Sequence, residues 1–181
     1  YSSLFETRKT PSQAVLDPGG VVQSQVIESG LDGRNGHGLR LILNGSQSHR
    51  TLSARFITDF FGSGVQHIAF ATDDIAATVR RLVANGVAML PIPENYYDDL
   101  EARSDLTGEE IDAMKTLNIL YDSDAGGPFR QAYTQTLDGG LFFEIVQRDG
   151  YAGYGAANAG IRLTAQSRLA RPISVPAPSH G

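Results

Sequence analysis

The chain has 181 residues, 41% of them hydrophobic and 19% charged, with a formal net charge of −5. That is enough for one domain with a sizeable core, and the acidic balance argues against a nucleic-acid or anionic-membrane surface, both of which need clustered Lys and Arg. Cysteine is absent, which excludes disulfides and thiolate metal sites, and no apolar run approaches the roughly 18 residues that cross a bilayer.

Tyr1-Ser2-Ser3-Leu4-Phe5 has the apolar spacing of a helix's last turns with no cap before it, and there is no initiator Met. Both features point to a piece of a longer polypeptide. Nothing resembles a secretory signal, so a cytoplasmic location is the expectation. Three strand candidates follow, at residues 12–17, 21–28 and 39–44, with a polar loop of four glycines at 30–38 between the last two. Residues 46–61 read as a partly helical link ended by Gly62-Ser63-Gly64.

The second half is more sharply patterned. Residues 65–72 (Val-Gln-His-Ile-Ala-Phe-Ala-Thr) predict a strand, and Asp73-Asp74 offers an N-cap for a helix over 75–84. That helix places Ile75, Val79, Leu82 and Val83 on one face, and Gly86 suits its stop. A strand is predicted at 87–93 and two short helices at 94–103 and 107–117, the second opened by the capping-box spacing of Thr107 and Glu110. Strands at 119–122, 129–136 and 141–147 complete the pattern. The order predicts an α+β fold of paired βαβββ modules, with the opening strand of the first module missing. Residues 1–62 form the truncated first module, 63–150 the second, 151–168 a C-terminal helix, and 169–181 a Pro/Ser-rich disordered tail.

Glu144 is the most informative residue. It sits mid-strand in Leu141-Phe142-Phe143-Glu144-Ile145-Val146, where a buried carboxylate must be protonated, paired or bound to a cation. Period-2 alternation puts Phe142, Glu144 and Val146 on one face and leaves neither face polar. A pair with Arg130 or Arg148 is the plain alternative. His67 raises the same question in the strand that opens the second module, where a satisfied core or surface role is the plain reading. Imidazole and carboxylate on separate strands of a cupped sheet are the donors that a first-row divalent metal accepts. His37, His49 and His180 fall in loop, link and tail, and are expected to be solvated. A facial triad needs a third ligand, and its symmetric place is the missing first strand.

Several stretches together carry a resemblance. They are Gly64-Val65-Gln66-His67-Ile68-Ala69-Phe70, Asp73-Asp74-Ile75, Tyr96-Tyr97-Asp98-Asp99-Leu100, Leu120-Tyr121-Asp122, Gln131-Ala132-Tyr133-Thr134 and Phe143-Glu144-Ile145-Val146-Gln147-Arg148. From about Tyr1 to Arg168 the chain resembles the C-terminal domain of the 4-hydroxyphenylpyruvate dioxygenases, of the vicinal oxygen chelate superfamily. The resemblance implies that His67 and Glu144 are Fe(II) ligands, with Mg, Mn, Co and Zn also compatible with such donors, and that a third His lies on the preceding strand. It further implies that Ser24, Asn44, Gln47, Gln66, Gln131, Tyr133 and Tyr154 face a small-molecule substrate.

The family's gating aromatic after a Gly-Asn pair is lost here, since Gly153-Tyr154-Gly155-Ala156-Ala157-Asn158-Ala159 keeps Tyr154 but has Ala159. An aromatic substrate would forfeit a stacking partner worth roughly 0.5–1.5 kcal/mol. The ending from Gly153 to Gln166 is more similar to bacterial fusion proteins in which a TIM-barrel 3-dehydroshikimate dehydratase precedes a dioxygenase-like domain. Three readings result: a metal-dependent domain acting on or binding a 2-oxo acid, an accessory domain of a dehydratase, and a plain interaction module. The expected partners are a small molecule and an N-terminal domain of the same polypeptide, with homo-oligomerisation left open.

Overall fold

The computed structural model describes residues 7–29, 38–137, 140–153 and 155–169. The helix expected at residues 1–5, most of the glycine loop at 30–38, Tyr154, and the tail beyond Leu169 lie outside the described residues.

Two four-stranded sheets carry the fold. In the first, β1 (Arg8–Lys9) and β2 (Gln13–Asp17) run antiparallel along one edge of β3 (Gly20–Ser29), and β4 (Leu39–Ser46) pairs antiparallel with its other edge. Val22, Ser24 and Val26 of β3 are buried while Val21 and Gln23 are exposed, the alternation of a strand with one covered face. Among the described residues β4 has no partner on its outer edge. Helix α1 (Leu52–Asp59) follows, capped by the Thr51 hydroxyl, which accepts from Ala54 N–H. The buried Asp17 accepts from the backbone N–H of Gly19 at 2.7 Å and of Leu52 at 3.1 Å, fixing the turn after β2 against the start of α1.

The second sheet has the order β5-β8-β7-β6: β5 (His67–Ala71), β6 (Leu120–Asp124), β7 (Gly127–Tyr133) and β8 (Phe142–Arg148). β5 runs parallel to β8, and the rest is antiparallel. Its helices are α2 (Ile75–Ala84), α3 (Glu94–Arg103) and α4 (Gly108–Thr116). Ile75, Val79, Leu90, Tyr97, Leu100 and Leu120 belong to one buried cluster between these helices and the sheet. Of the four apolar residues expected on one face of α2, Ile75 and Val79 are buried and Leu82 packs against the core, but Val83 is 52% exposed. The strand expected at 87–93 is reduced to a single bridge between Met89 and Thr134. Pro91 and Pro93 lack the N–H groups a ladder requires, so the segment leaves the sheet almost at once.

Helix α5 (Ala156–Leu169) closes the structure and lies against both β2 and β6. It runs on to Leu169, one residue past the expected boundary. By bridging the two sheets it brings side chains from the end of the chain over the second one.

The capping box at α4 is complete: the Thr107 hydroxyl accepts from Glu110 N–H, and the Glu110 carboxylate accepts from Thr107 N–H at 2.8 Å. Both bonds sit at the surface, so their loss is a local effect. Thr107→Ala is expected to lower stability by about 0.5–2 kcal/mol in chemical denaturation with the slope unchanged. An unaltered midpoint would show that the cap contributes nothing.

Candidate metal centre

Strand register alone brings the two key residues together. In the parallel β5–β8 pair Ala69 lies beside Glu144, so His67, two residues earlier, shares Glu144's face of the sheet. Ala69 carries only a methyl, which leaves the space for imidazole and carboxylate to meet: His67 Nε2 lies 3.6 Å from Glu144 Oε2. The His67 ring stacks on Phe142, with centroids 5.0 Å apart and planes within 9°.

Glu144 is 7% exposed. Burial raises its pKa, and hydrogen bonds from Gln131 and Tyr133 work against that rise. Tyr133 is directly opposite Glu144 in the β7–β8 ladder and Gln131 is diagonal to it. The Tyr133 hydroxyl donates to Glu144 Oε1 at 2.9 Å and Gln131 Nε2 donates to the same oxygen at 2.9 Å. Burial, and then the neighbouring carboxylate, push the Tyr133 pKa well up, so the phenol keeps its proton. Both donors crowd onto Oε1, and Oε2 is the oxygen turned to His67.

The arginines expected as plain partners go elsewhere. Arg130 pairs with Asp149 at 3.2 Å. Arg148 donates to the Gly153 carbonyl and lies over the Phe129 ring, 4.2 Å from its centroid. His67 is no cationic partner either, because burial and then Arg162 lower its pKa to about 4, leaving a neutral imidazole at pH 7. A carboxylate and a neutral imidazole converging at 3.6 Å are fit to hold one divalent cation. Among the described residues no third His, Cys, Asp or Glu joins them.

Behind the pair runs a buried polar chain that sequence reasoning missed. Asn158 of α5, 1% exposed, donates from Nδ2 to Gln131 Oε1 at 2.9 Å. Its Oδ1 lies 3.3 Å from the Tyr96 hydroxyl, which in turn accepts from Tyr121 N–H at 2.8 Å. Gly155, at φ +74°, stands where an added Cβ would collide with the Gln131 amide, so glycine is required just before α5. One turn beyond Asn158, the Arg162 guanidinium lies over the rings of Phe142 and Tyr133, 5.3 and 5.7 Å from their centroids. The i, i+4 spacing of Asn158 and Arg162 was legible, but the sheet they would face was not.

The other expected substrate residues lie on several elements. Ser24, buried on the first sheet, donates to Asn44 Oδ1 at 2.6 Å. Gln47 is exposed in the bend after β4. Gln66, together with Leu52, Arg55, Phe142 and Gln166, lines a cleft of about 270 Å³. His67 and Glu144 do not line this cleft, which approaches them through Phe142. Tyr154 lies outside the described residues.

A family model described as Glyoxalase/Bleomycin resistance protein/Dioxygenase superfamily matches residues 9–107. The chain belongs to this superfamily. Within it, the chain is 44% identical over 170 residues to a 3-dehydroshikimate dehydratase of Pseudomonas putida, covering 93% of this chain and 26% of that protein. It is 40% identical over 122 residues to a 4-hydroxyphenylpyruvate dioxygenase of Pseudomonas aeruginosa, covering 66% of this chain and 34% of the dioxygenase. A solved xylose isomerase-like TIM barrel/4-hydroxyphenylpyruvate dioxygenase fusion protein superposes with a TM-score of 0.72 at 42% identity, over 93% of this chain and 26% of the fusion protein. The chain therefore spans about a quarter to a third of the length of these superfamily relatives.

Replacing Asn158 with Leu leaves the Gln131 carbonyl and the Tyr96 hydroxyl each short of a buried partner. Asn158→Leu is expected to cost about 1–3 kcal/mol in equilibrium unfolding. A wild-type midpoint would show that α5 is not tied to the second sheet through this bond.

Proposed function

We propose that the chain is a metal-dependent, 4-hydroxyphenylpyruvate dioxygenase-like domain that binds a divalent metal through His67 and Glu144, and a 2-oxo acid or related small oxygenated ligand upon it. The observation that carries this reading is the approach of His67 Nε2 to Glu144 Oε2 at 3.6 Å, in a setting where Arg130 and Arg148 are engaged elsewhere. Fe(II) is the metal the resemblance favours, and Mg, Mn, Co or Zn suit the same donors.

Each neighbour has a definable task. Gln131 and Tyr133 fix the carboxylate by occupying Oε1, and so direct Oε2 at the shared position. Phe142 holds the imidazole plane by stacking, and burial keeps the imidazole unprotonated and able to donate its lone pair. A third ligand would come from a strand on the outer edge of β4, in the relation that β5 has to β8. When bound, the metal would supply Lewis-acid polarisation of a chelated keto acid and, as Fe(II), a centre for O₂ chemistry. Gln66, which lines the cleft with Phe142, would orient an entering ligand.

The second reading is an accessory domain of a 3-dehydroshikimate dehydratase, joined to a TIM-barrel domain that carries the lyase chemistry. It is supported by the longer match to the dehydratase than to the dioxygenase, and by the fusion architecture of the solved relative. Both readings keep the metal pair, and they differ in turnover.

Glu144→Ala and His67→Ala in the full chain should each lower bound metal at least about tenfold by elemental analysis after dialysis. Unchanged metal content in Glu144→Ala would overturn both metal readings. With Fe(II) and a panel of 2-oxo acids that includes 4-hydroxyphenylpyruvate, oxygen consumption lost in Glu144→Ala is the result the dioxygenase-like reading requires. No consumption with full metal content assigns the domain to the accessory role.

A further inference from the structure

Helix α5 places a cation beside the two metal ligands, and the reading above gives it no task. Arg162 is half-buried, and its guanidinium lies over the same two rings that support the site. Phe142 is the ring stacked on His67, and Tyr133 is the phenol bonded to Glu144. Among the described residues the contact-distance salt bridges of Lys and Arg to carboxylates are made by Arg8, Arg40, Lys115 and Arg130, and Arg162 acts on Glu144 through its field without touching it. Its one hydrogen-bonded neighbour is neutral: Nη1 donates to Gln166 Oε1 at 2.7 Å, and Gln166 lines the cleft. The side chain is therefore held behind two cleft-lining residues, Gln166 and Phe142, with most of its donors unspent.

The charge balance gives this arrangement a direction. A divalent cation held by a single carboxylate keeps a net positive charge, and Arg162 adds another in the same half-buried volume. Two such charges are stable side by side only when an anion lies between them. A guanidinium presents a planar fork of donors that matches a carboxylate. The aromatic surface is also in use, since Phe142 is stacked by His67 and faced by Arg162, and Ala159 supplies no ring.

We propose that Arg162 is the anion-binding end of this site, pairing with a ligand carboxylate that does not reach the metal, so that the preferred ligand is a small non-aromatic acid with a 2-oxo acid group at one end and a second carboxylate at the other. This deepens the metal reading and rests on it for the first half of the ligand. Arg162 is a specificity-determining residue, and the metal remains held by His67 and Glu144.

The test is a calorimetric titration of the Co(II)-loaded full chain with 2-oxoglutarate and with 2-oxopentanoate, which share a five-carbon backbone and differ in the second carboxylate. Co(II) stoichiometry is measured first for wild type, Arg162→Gln and Arg162→Lys. The wild type should bind 2-oxoglutarate about tenfold or more tightly than 2-oxopentanoate, the size of one charge-assisted hydrogen bond. Arg162→Gln should abolish that preference with Co(II) stoichiometry unchanged, and Arg162→Lys should restore part of it, which a merely structural role would not. Equal affinities in the wild type, or a preference that survives Arg162→Gln, overturn the proposal while the metal reading stands. Should no Co(II) bind, the metal reading fails by itself. In that case an Arg162-dependent preference for 2-oxoglutarate still supports the anion site, and its absence ends it.

Discussion

A carboxylate in the middle of a buried strand is the constraint around which the second sheet is organised. Water would solvate Glu144 far better than a protein interior does, so its ionised form persists only where donors or cations replace that water. Gln131 and Tyr133 supply two donors to one oxygen, and the cross-strand register of β7 and β8 delivers both without any loop. The other oxygen is left facing a neutral imidazole. That geometry is half-finished as a protein interaction, and a shared cation would complete it.

The support extends well beyond the pair. Asn158 holds Gln131, and Gly155 opens the room Gln131 needs. The Tyr96 hydroxyl then links Asn158 to the backbone of β6. A helix from the end of the chain thus holds the orientation of a carboxylate on β8. Fully satisfied buried networks of this kind are rigid, and loosening one member leaves the others unpaired. The same helix adds Arg162, so one element both supports Glu144 and sets the charge around it.

Much of this was legible in the sequence because local rules decide it. The Asp74 and Thr107 caps act within one turn, and β-rich composition marked β3 as a strand. Glu144 could be singled out because a charge between large apolar residues conflicts with its surroundings whatever the fold. His67 gained meaning only beside it. Non-local information was out of reach. Arg130 and Arg148 were as close in sequence to Glu144 as any cation, yet pairing with Asp149 and docking on Gly153 take them away. Asn158 and Arg162 looked like ordinary helix positions because their role depends on which sheet α5 covers. The strand expected at 87–93 yields to a local rule: two prolines in three residues cannot sustain a ladder.

Membership in the superfamily fixes the architecture, and the shared position of one imidazole and one carboxylate is the point on which the functional account turns. Anomalous diffraction at the Co edge, from crystals of the full chain grown with Co(II), addresses it directly. The account predicts a single strong peak about 2.0–2.2 Å from both His67 Nε2 and Glu144 Oε2, the bond lengths of imidazole and carboxylate to a first-row metal. A peak elsewhere, or density showing Glu144 protonated and bonded to His67 with no metal between them, would contradict it.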